Sequence, residues 1–408
     1  MAEPSDPRLP RRLSAVRIGE AAGALADGIE DPGLADLIAR IQQRRIRSGN
    51  RVQVFFEGEA AFGAMLRDIG AASAEVLLES YILKDDAVGR RFAQALGGAA
   101  ARGVAVRVLA DAFGSIGTST AFWRGLGAAG IEVRLYHPFG GPLRFLTFRD
   151  HRKILVVDRK VAYTGGMNIG EEYGSSVLPR ERVFRDTHAR VEGPTAAEMA
   201  AVFRGAWVAA GGDRFDVGEP GDGDGAGARI LVLESRPGRG ARQVSAALAA
   251  MAAAARRRLW MTVAYFAPRP RVCNVLGRAA SRGVDVRLLL PGRSDVRLVR
   301  HAGHGFFARL LRNGVRLFEY APAVLHAKTL VADGVVTVIG SSNLDFRSFE
   351  RNAECNFAIF DTDVAGVMER RFEEDARDAT EIRRPDWRRR ARLHRLGDAV
   401  ARRLAPLL

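Results

Sequence analysis

The stretch His151-Arg152-Lys153-Ile154-Leu155-Val156-Val157-Asp158 returns in the second half of the chain as His326-Ala327-Lys328-Thr329-Leu330-Val331-Ala332-Asp333. Both copies follow His-x-Lys-x4-Asp. With 7 histidines in 408 residues and lysine only at Lys84, Lys153, Lys160 and Lys328, chance supplies on the order of 0.01 such motifs. A chain carrying two is built from two related halves, and any fold assigned to it must accommodate the repeat. Arginine has replaced lysine almost everywhere else. The retention of lysine in both motifs points to a site that needs a compact, mobile ammonium rather than a planar fork.

The flanks repeat too. A polar turn at Asp158-Arg159-Lys160 leads into Val161-Ala162-Tyr163-Thr164 and Gly165-Gly166-Met167-Asn168. Asp333-Gly334 leads into Val335-Val336-Thr337-Val338-Ile339 and Gly340-Ser341-Ser342-Asn343. Asp-Gly between apolar runs predicts a hairpin. His and Lys in alternate positions of a strand share a face. The hairpin returns an asparagine to the same end in each copy, Asn168 for His151 and Asn343 for His326, at equal spacing. Each half thus offers one His, one Lys and one Asn behind glycines that admit a close ligand.

This constellation resembles the phospholipase D superfamily, whose duplicated motifs meet in one site between two similar halves. The likeness extends through Gly165 to Tyr173, Phe184-Arg185-Asp186-Thr187-His188, and Asn343 to Glu354, and is nearest to the bacterial cardiolipin synthases. It covers roughly Arg51 to the C-terminus. The implied fold is α/β, with two pseudo-symmetric halves, each a mixed β-sheet flanked by helices, and one active site between them.

Strand and helix patterns alternate in both halves. Val52–Phe56, Glu75–Leu83 and Val104–Asp111 read as strands around helices at Ala60–Ile69 and Val88–Ala101. Leu259–Phe266 and Val284–Pro291 flank a helix at Val272–Ser281. This predicts an α/β sheet largely parallel in its interior. Arg102-Gly103-Val104 answers Arg282-Gly283-Val284, and the Gly-rich run 218–228 reads as a linker. The expected organisation is a lead-in at 1–50 packing on the first half, halves at 51–217 and 229–380, and a C-terminal helix at 381–408. The loops 113–118 and 137–146 stand out as possible site walls.

Net charge is +15, which predicts an anionic partner, a membrane surface or a nucleic acid. Cys273 and Cys355 have no disulfide or metal spacing. The small-apolar run Ser245–Ala255 is far short of the ~20 residues a membrane span needs, and no signal peptide is evident. No counterpart of the two N-terminal membrane helices common in the family is read in the sequence. The expectation is a peripheral protein on the cytoplasmic face of the cell membrane.

The resemblance makes His151, Lys153, Asp158, His326, Lys328 and Asp333 the catalytic motif residues. Within this set Asp158 and Asp333 read as structural, since an odd number of positions from the histidine they fall on the opposite strand face, at the turn. His151 is assigned as nucleophile and His326 as general acid/base, with the swap left open by the duplication. Lys153, Lys328, Asn168 and Asn343 would hold the phosphoryl oxygens. A nucleophilic imidazole needs its other nitrogen oriented, and Asp186 and Glu354 are the candidates, the alternative being ordinary surface carboxylates. His137, His301 and His304 read as surface or core histidines. No cofactor and no catalytic metal are expected, because no clustered ligand set is visible and lysines supply the cations.

From Arg383 on, Leu393, Leu396, Val400, Leu404 and Leu407 recur at helical steps among nine arginines, with Trp387 at the start. A basic amphipathic helix reads as a membrane-surface segment, against a helix packed on the domain. The favoured function is transfer of a phosphatidyl group between phospholipids, two phosphatidylglycerols giving cardiolipin and glycerol. The anionic phospholipid membrane is then the partner, with no nucleic acid expected. The alternative is a phospholipase D-type phosphodiesterase or nuclease acting on nucleic acid.

Overall fold

The computed structural model describes residues 15–138, 147–174, 178–179, 182–219, 221, 223, 225–237, 242–294, 296–390 and 392–404. Two helices lead in, α1 (Ala15–Gly23) and α2 (Pro32–Gln42). The first half opens with β1 (Arg47–Phe55), α3 (Gly58–Ala71), β2 (Glu75–Ser80), α4 (Ala87–Ala101), β3 (Ala105–Asp111), α5 (Thr120–Ala128) and β4 (Glu132–Tyr136). It closes with β5 (Arg149–Asp150), β6 (Lys153–Val157), β7 (Val161–Gly165), β8 (His188–Glu192) and α6 (Thr195–Ala209). The second half opens with β9 (Ala228–Ser235), α7 (Gln243–Ala254), β10 (Arg258–Val263), β11 (Phe266–Ala267), α8 (Pro270–Ser281), β12 (Asp285–Pro291), α9 (Arg297–Arg312) and β13 (Arg316–Tyr320). There follow β14 (Lys328–Ala332), β15 (Val336–Gly340), β16 (Leu344–Asp345), α10 (Phe346–Glu350), β17 (Asn352–Phe360) and α11 (Thr362–Arg377). Last come β18 (Ala379–Ile382), α12 (Arg384–Arg389) and α13 (Arg392–Leu404).

The duplication is structural. Strand order is β4-β3-β2-β6-β7-β8-β1 in the first half and β13-β12-β10-β14-β15-β17-β9 in the second, with β18 outside β13. β1 and β9 pair antiparallel and join the halves into one sheet. The motif hairpins share a register: Ile154 faces Thr164 and Thr329 faces Ile339, both members of the pair displaced by the same interval as the histidines. Arg102 and Arg282 do the same job, each reaching back to carbonyls at the end of an earlier helix, Ile69 and Ala72 or Ala252, Ala253 and Ala255. Gly103 and Gly283 follow at φ 87° and 92°, a left-handed helix end that favours glycine.

Two expectations need correction. Along the main strand path, parallel pairing is confined to β2-β3-β4 and β10-β12-β13, because the motif hairpins enter each half antiparallel and occupy its middle. The lead-in packs on the second half, not the first. Its Ile18, Ala22, Leu34, Leu37 and Ile38 share a core with Val244, Ala247, Ala250 and Met251 of α7. The cause is α7 itself, the run that includes Ser245–Ala254. A helix apolar on nearly every face needs cover on both sides, and α1 and α2 supply the outer one. β1 begins at Arg47, so the sheet takes residues assigned to the lead-in. Among the described residues no helix is long and apolar enough to cross a membrane.

Candidate active site

Both motif histidines stand just before a sheet strand, and each is tied by its backbone to the opposite half. The His151 N–H donates to the Ala353 carbonyl at 2.9 Å and the His326 N–H to the Arg185 carbonyl at 2.8 Å. β5 pairs with the start of β17, and Arg185 bridges to Leu325. The main chain therefore crosses the seam twice at the point where the histidines emerge.

The side chains cross in the same way. His151 Nδ1 lies 3.0 Å from Glu354 Oε2, and His326 Nδ1 lies 2.6 Å from Asp186 Oδ2. An ionised carboxylate only accepts, so each Nδ1 carries the proton and each Nε2 keeps its lone pair. Asp186 and Glu354 are equivalent residues. Each lies two positions before the partner of a hairpin glycine, His188 opposite Gly165 and Asn356 opposite Gly340. Their supports differ. Ser341 Oγ donates to Glu354, whereas Gly166 leaves room for Asp186, whose Oδ1 would sit 2.1 Å from a Cβ at that position.

Lys153 Nζ donates to the His151 carbonyl at 2.7 Å, and Lys328 Nζ sits 2.9 and 3.1 Å from the two ring nitrogens of His326. All four side chains are buried. Burial lowers the proton affinity of His151, opposed by Glu354 and reinforced by Lys153 and Lys328. Burial and Lys328 push His326 down to about 4 against the pull of Asp186. Burial also brings the Lys153 ammonium down to about 7. Burial would raise the Asp186 carboxyl, but Lys328 and His326 outweigh it and hold it below the ordinary aspartate value. The result is two neutral imidazoles backed by buried carboxylates in a field of lysine charge.

Aromatic residues to which sequence reading gave no role complete the walls. The Tyr81 ring lies 5.0 Å from that of His151, while Tyr173, Phe184 and Tyr265 lie 5.3, 5.6 and 5.8 Å from that of His326. Tyr81 follows β2 directly and Tyr265 lies just past the end of β10, so matching strand ends is the signal that would have found them. Asn168 and Asn343 reach the same end. Asn168 accepts from the Ile82 N–H at 3.2 Å and donates to Tyr173 Oη at 2.6 Å, whereas Asn343 Oδ1 is buried with no hydrogen-bond partner among the described residues.

Asp158 and Asp333 sit at the opposite end of their hairpins from the histidines. Asp158 accepts from the backbone N–H groups of Ser73, Ala74 and Glu75 at 2.7 to 2.9 Å, and Asp333 from those of Arg256, Arg257 and Arg258 at 2.8 Å. Both take positive φ, 51° and 53°, in the turn that reverses the hairpin. The motif's third residue braces the hairpin against the start of the neighbouring strand, at the end away from the histidines. Of the two proposed wall loops, 113–118 lies beside Tyr81 and Leu83. Positions 139–146 of the second lie outside the described residues.

The C-terminal segment, two helices α12 and α13 rather than the single one expected over 381–408, packs on the domain. Trp387 packs on Phe307 with centroids 4.9 Å apart, and Ala401 is buried with Ala302 and Ala267. Val400 remains exposed. Leu393, Leu396, Leu404 and Leu407 lie outside the described side chains.

Comparison with known proteins agrees with this geometry. Residues 65–207 and 248–376 match the family described as cardiolipin synthase, PLD-like domain. The chain is 36% identical over 378 residues to cardiolipin synthase A of Pseudomonas aeruginosa, covering 92% of this chain and 77% of the relative. It is 34% identical over 389 residues to cardiolipin synthase of Geobacillus kaustophilus, covering 92% and 76%. Among solved structures, the phosphatidylserine synthase of Haemophilus influenzae superposes with a TM-score of 0.70 at 10% identity, covering 96% of this chain and 97% of the other, a likeness of fold. Two motif-bearing halves in one sheet, crossed histidine pairs and likeness over most of the chain converge: the chain belongs to the cardiolipin synthase family of the phospholipase D superfamily and is a phosphatidyltransferase of that type.

Proposed function

We propose that this enzyme moves the phosphatidyl group of one phosphatidylglycerol onto a second, giving cardiolipin and glycerol, through a phosphohistidine on His151. The observation that carries the reading is the crossed pair of neutral imidazoles, each with Nδ1 spent on a carboxylate of the other half. His151 Nε2 attacks phosphorus, the bond to the glycerol oxygen breaks, and that oxygen takes a proton from His326. A hydroxyl of the second lipid returns a proton to His326 and attacks the phosphoryl group, freeing His151. The closer carboxylate, 2.6 Å against 3.0 Å, supports an imidazolium better at His326. Because His326 rests at about 4 without substrate, the negative phosphodiester is what loads its proton. Lys153, Lys328, Asn168 and Asn343 hold the phosphoryl oxygens.

The membrane is reached from the rim of this site, on the cytoplasmic side in this reading. Ser80 at the end of β2 pairs with Lys153, and Val263 at the end of β10 pairs with Lys328. The parallel neighbours β3 and β12 therefore end on the same edge as the histidines. Just beyond them stand exposed apolar side chains, Phe113 and Ile116 in one half and Val296 and Leu298 in the other. Apolar groups on a basic protein's active-site edge suit an anionic bilayer.

The test is incubation with phosphatidylglycerol vesicles and, separately, with DNA. Cardiolipin and glycerol should form and DNA should stay intact; DNA cleavage without a lipid product overturns the reading. In His326→Ala an acid-labile phosphatidyl adduct should collect on His151, and an adduct trapped on His326 in the unsubstituted enzyme reverses the two roles.

A further inference from the structure

Away from the reacting histidines, α9 and α13 bring together three groups that phosphatidyl transfer does not use. His301 and His304 lie one turn apart on α9, and Asp398 of α13 projects at both. His301 Nδ1 is 3.0 Å and His304 Nδ1 3.6 Å from the same oxygen, Asp398 Oδ1. One ligand atom from each of the three residues lies within 4.8 Å of the other two. Asp398 and His304 are buried, whereas the side chain of His301 is half exposed.

The other nitrogen of His304 is already committed. Its Nε2 lies 3.1 Å from Glu319 Oε1, an oxygen that Arg300 also holds at 2.9 Å. A neutral imidazole has one N–H. With that proton on Nε2, the buried Nδ1 has no hydrogen-bond partner among the described residues and turns a bare lone pair toward the Asp398 carboxylate. Moving the proton to Nδ1 transfers the same conflict to Glu319. A second proton on the ring removes it, and so does a metal ion between Nδ1 and Oδ1; His301 Nδ1, set against the same oxygen at 3.0 Å, supplies a further ligand for the metal and nothing for the proton. A histidine whose outer N–H donates to a carboxylate while its inner nitrogen faces a cation is the usual support of a bound transition metal.

We propose that His301 Nδ1, His304 Nδ1 and Asp398 Oδ1 form a metal site of the zinc class that pins α13 to α9. Two imidazoles and one carboxylate suit Zn²⁺ and its first-row neighbours rather than Ca²⁺ or Mg²⁺, which favour oxygen shells. The exposed side of His301 leaves a fourth position for water. Arg390 stacks over Trp387 at 3.6 Å and pairs with Asp398 Oδ2, the carboxylate's other oxygen. That grip aims Oδ1 at the histidines, and its positive charge moderates the affinity.

The test uses the full chain stripped of metal and titrated with Co²⁺. One equivalent should bind with visible ligand-field absorption, be displaced by Zn²⁺, and slow proteolysis of the C-terminal helix. His304→Ala and Asp398→Asn should weaken binding at least about tenfold, and Glu319→Gln about tenfold through loss of ligand support. His301→Ala, at a half-exposed position, keeps the test open if Asp398→Asn releases the helix. His326→Ala should bind as the parent does. Absence of a Co²⁺ spectrum, or one unchanged in His301→Ala and His304→Ala or lost in His326→Ala, overturns the proposal.

Discussion

The ring of His151 lies 3.0 Å from the carboxylate of Glu354, 203 residues away in the other half of the molecule. Neither half alone therefore contains an oriented motif histidine. Glu354→Gln and Asp186→Asn keep the shape but let the amide present an N–H to the ring, favouring the wrong tautomer. Each should lower kcat by about 10² to 10⁴-fold with little change in melting temperature. Steady-state rates measured beside thermal unfolding check this, and a fall of less than about threefold in both variants would sink the orienting role.

Lys153 should set the alkaline limb of the rate. Its ammonium sits at about 7 because it is buried, so above that pH the free enzyme loses a positive charge beside the phosphoryl site. The profile of kcat/KM reports the free enzyme and should fall as pH rises through about 7. Lys153→Arg cannot lose its proton and should flatten that limb, while its rigid fork lowers the plateau about tenfold or more. An unchanged limb in Lys153→Arg assigns the titration elsewhere.

Asp158 should matter for folding and not for turnover. Burial would raise its carboxyl, but the backbone N–H groups of Glu75, Ser73 and Ala74 hold it below the ordinary value. Its contribution is thus present above the ordinary aspartate range and lost as pH falls through the depressed value. Asp158→Asn should cost about 1 to 3 kcal/mol in denaturant unfolding at neutral pH and little at acid pH, with kcat near that of the parent. A large loss of kcat in a folded variant would return Asp158 to the catalytic set.

The repeat made the two-half architecture and the four central His and Lys positions legible, because a single long period carried the same residue types onto the same strand face. The equivalence of Asp186 and Glu354 was hidden by the longer connection in the first half, which sets Asp186 farther along the chain from His151 than Glu354 stands from His326. Sequence spacing also could not say that each carboxylate serves the opposite histidine, since crossing at the seam is a property of the assembled sheet. The lead-in was misplaced for a related reason. Leu34 and Leu37 announce a buried face, but only the nearly all-apolar α7 determines what they cover. His301, His304 and Asp398 were invisible as a group because 97 residues separate His301 from Asp398.

On the proposed reading the enzyme works at a bilayer, and two surfaces compete for that contact. Nine arginines and a leucine repeat pointed to the C-terminal helix, yet Trp387, Asp398 and Ala401 tie that segment to α9. Deleting residues 385–408 should therefore lower the melting temperature first, with any loss of vesicle binding following from damage to the second half. The rim is the better anchor. Ile116 is 69% exposed and Leu298 41% exposed, one on each side of the site, and burying each in the interface is worth about 1 to 2 kcal/mol. Ile116→Asp with Leu298→Asp adds repulsion from anionic headgroups and should weaken sedimentation with phosphatidylglycerol vesicles by about tenfold or more. Hydrolysis of a short-chain soluble phosphodiester should be unchanged, because neither side chain supports the histidines. If the double variant sediments as the parent does, the active-site edge does not face the lipid, and the membrane contact lies on another surface.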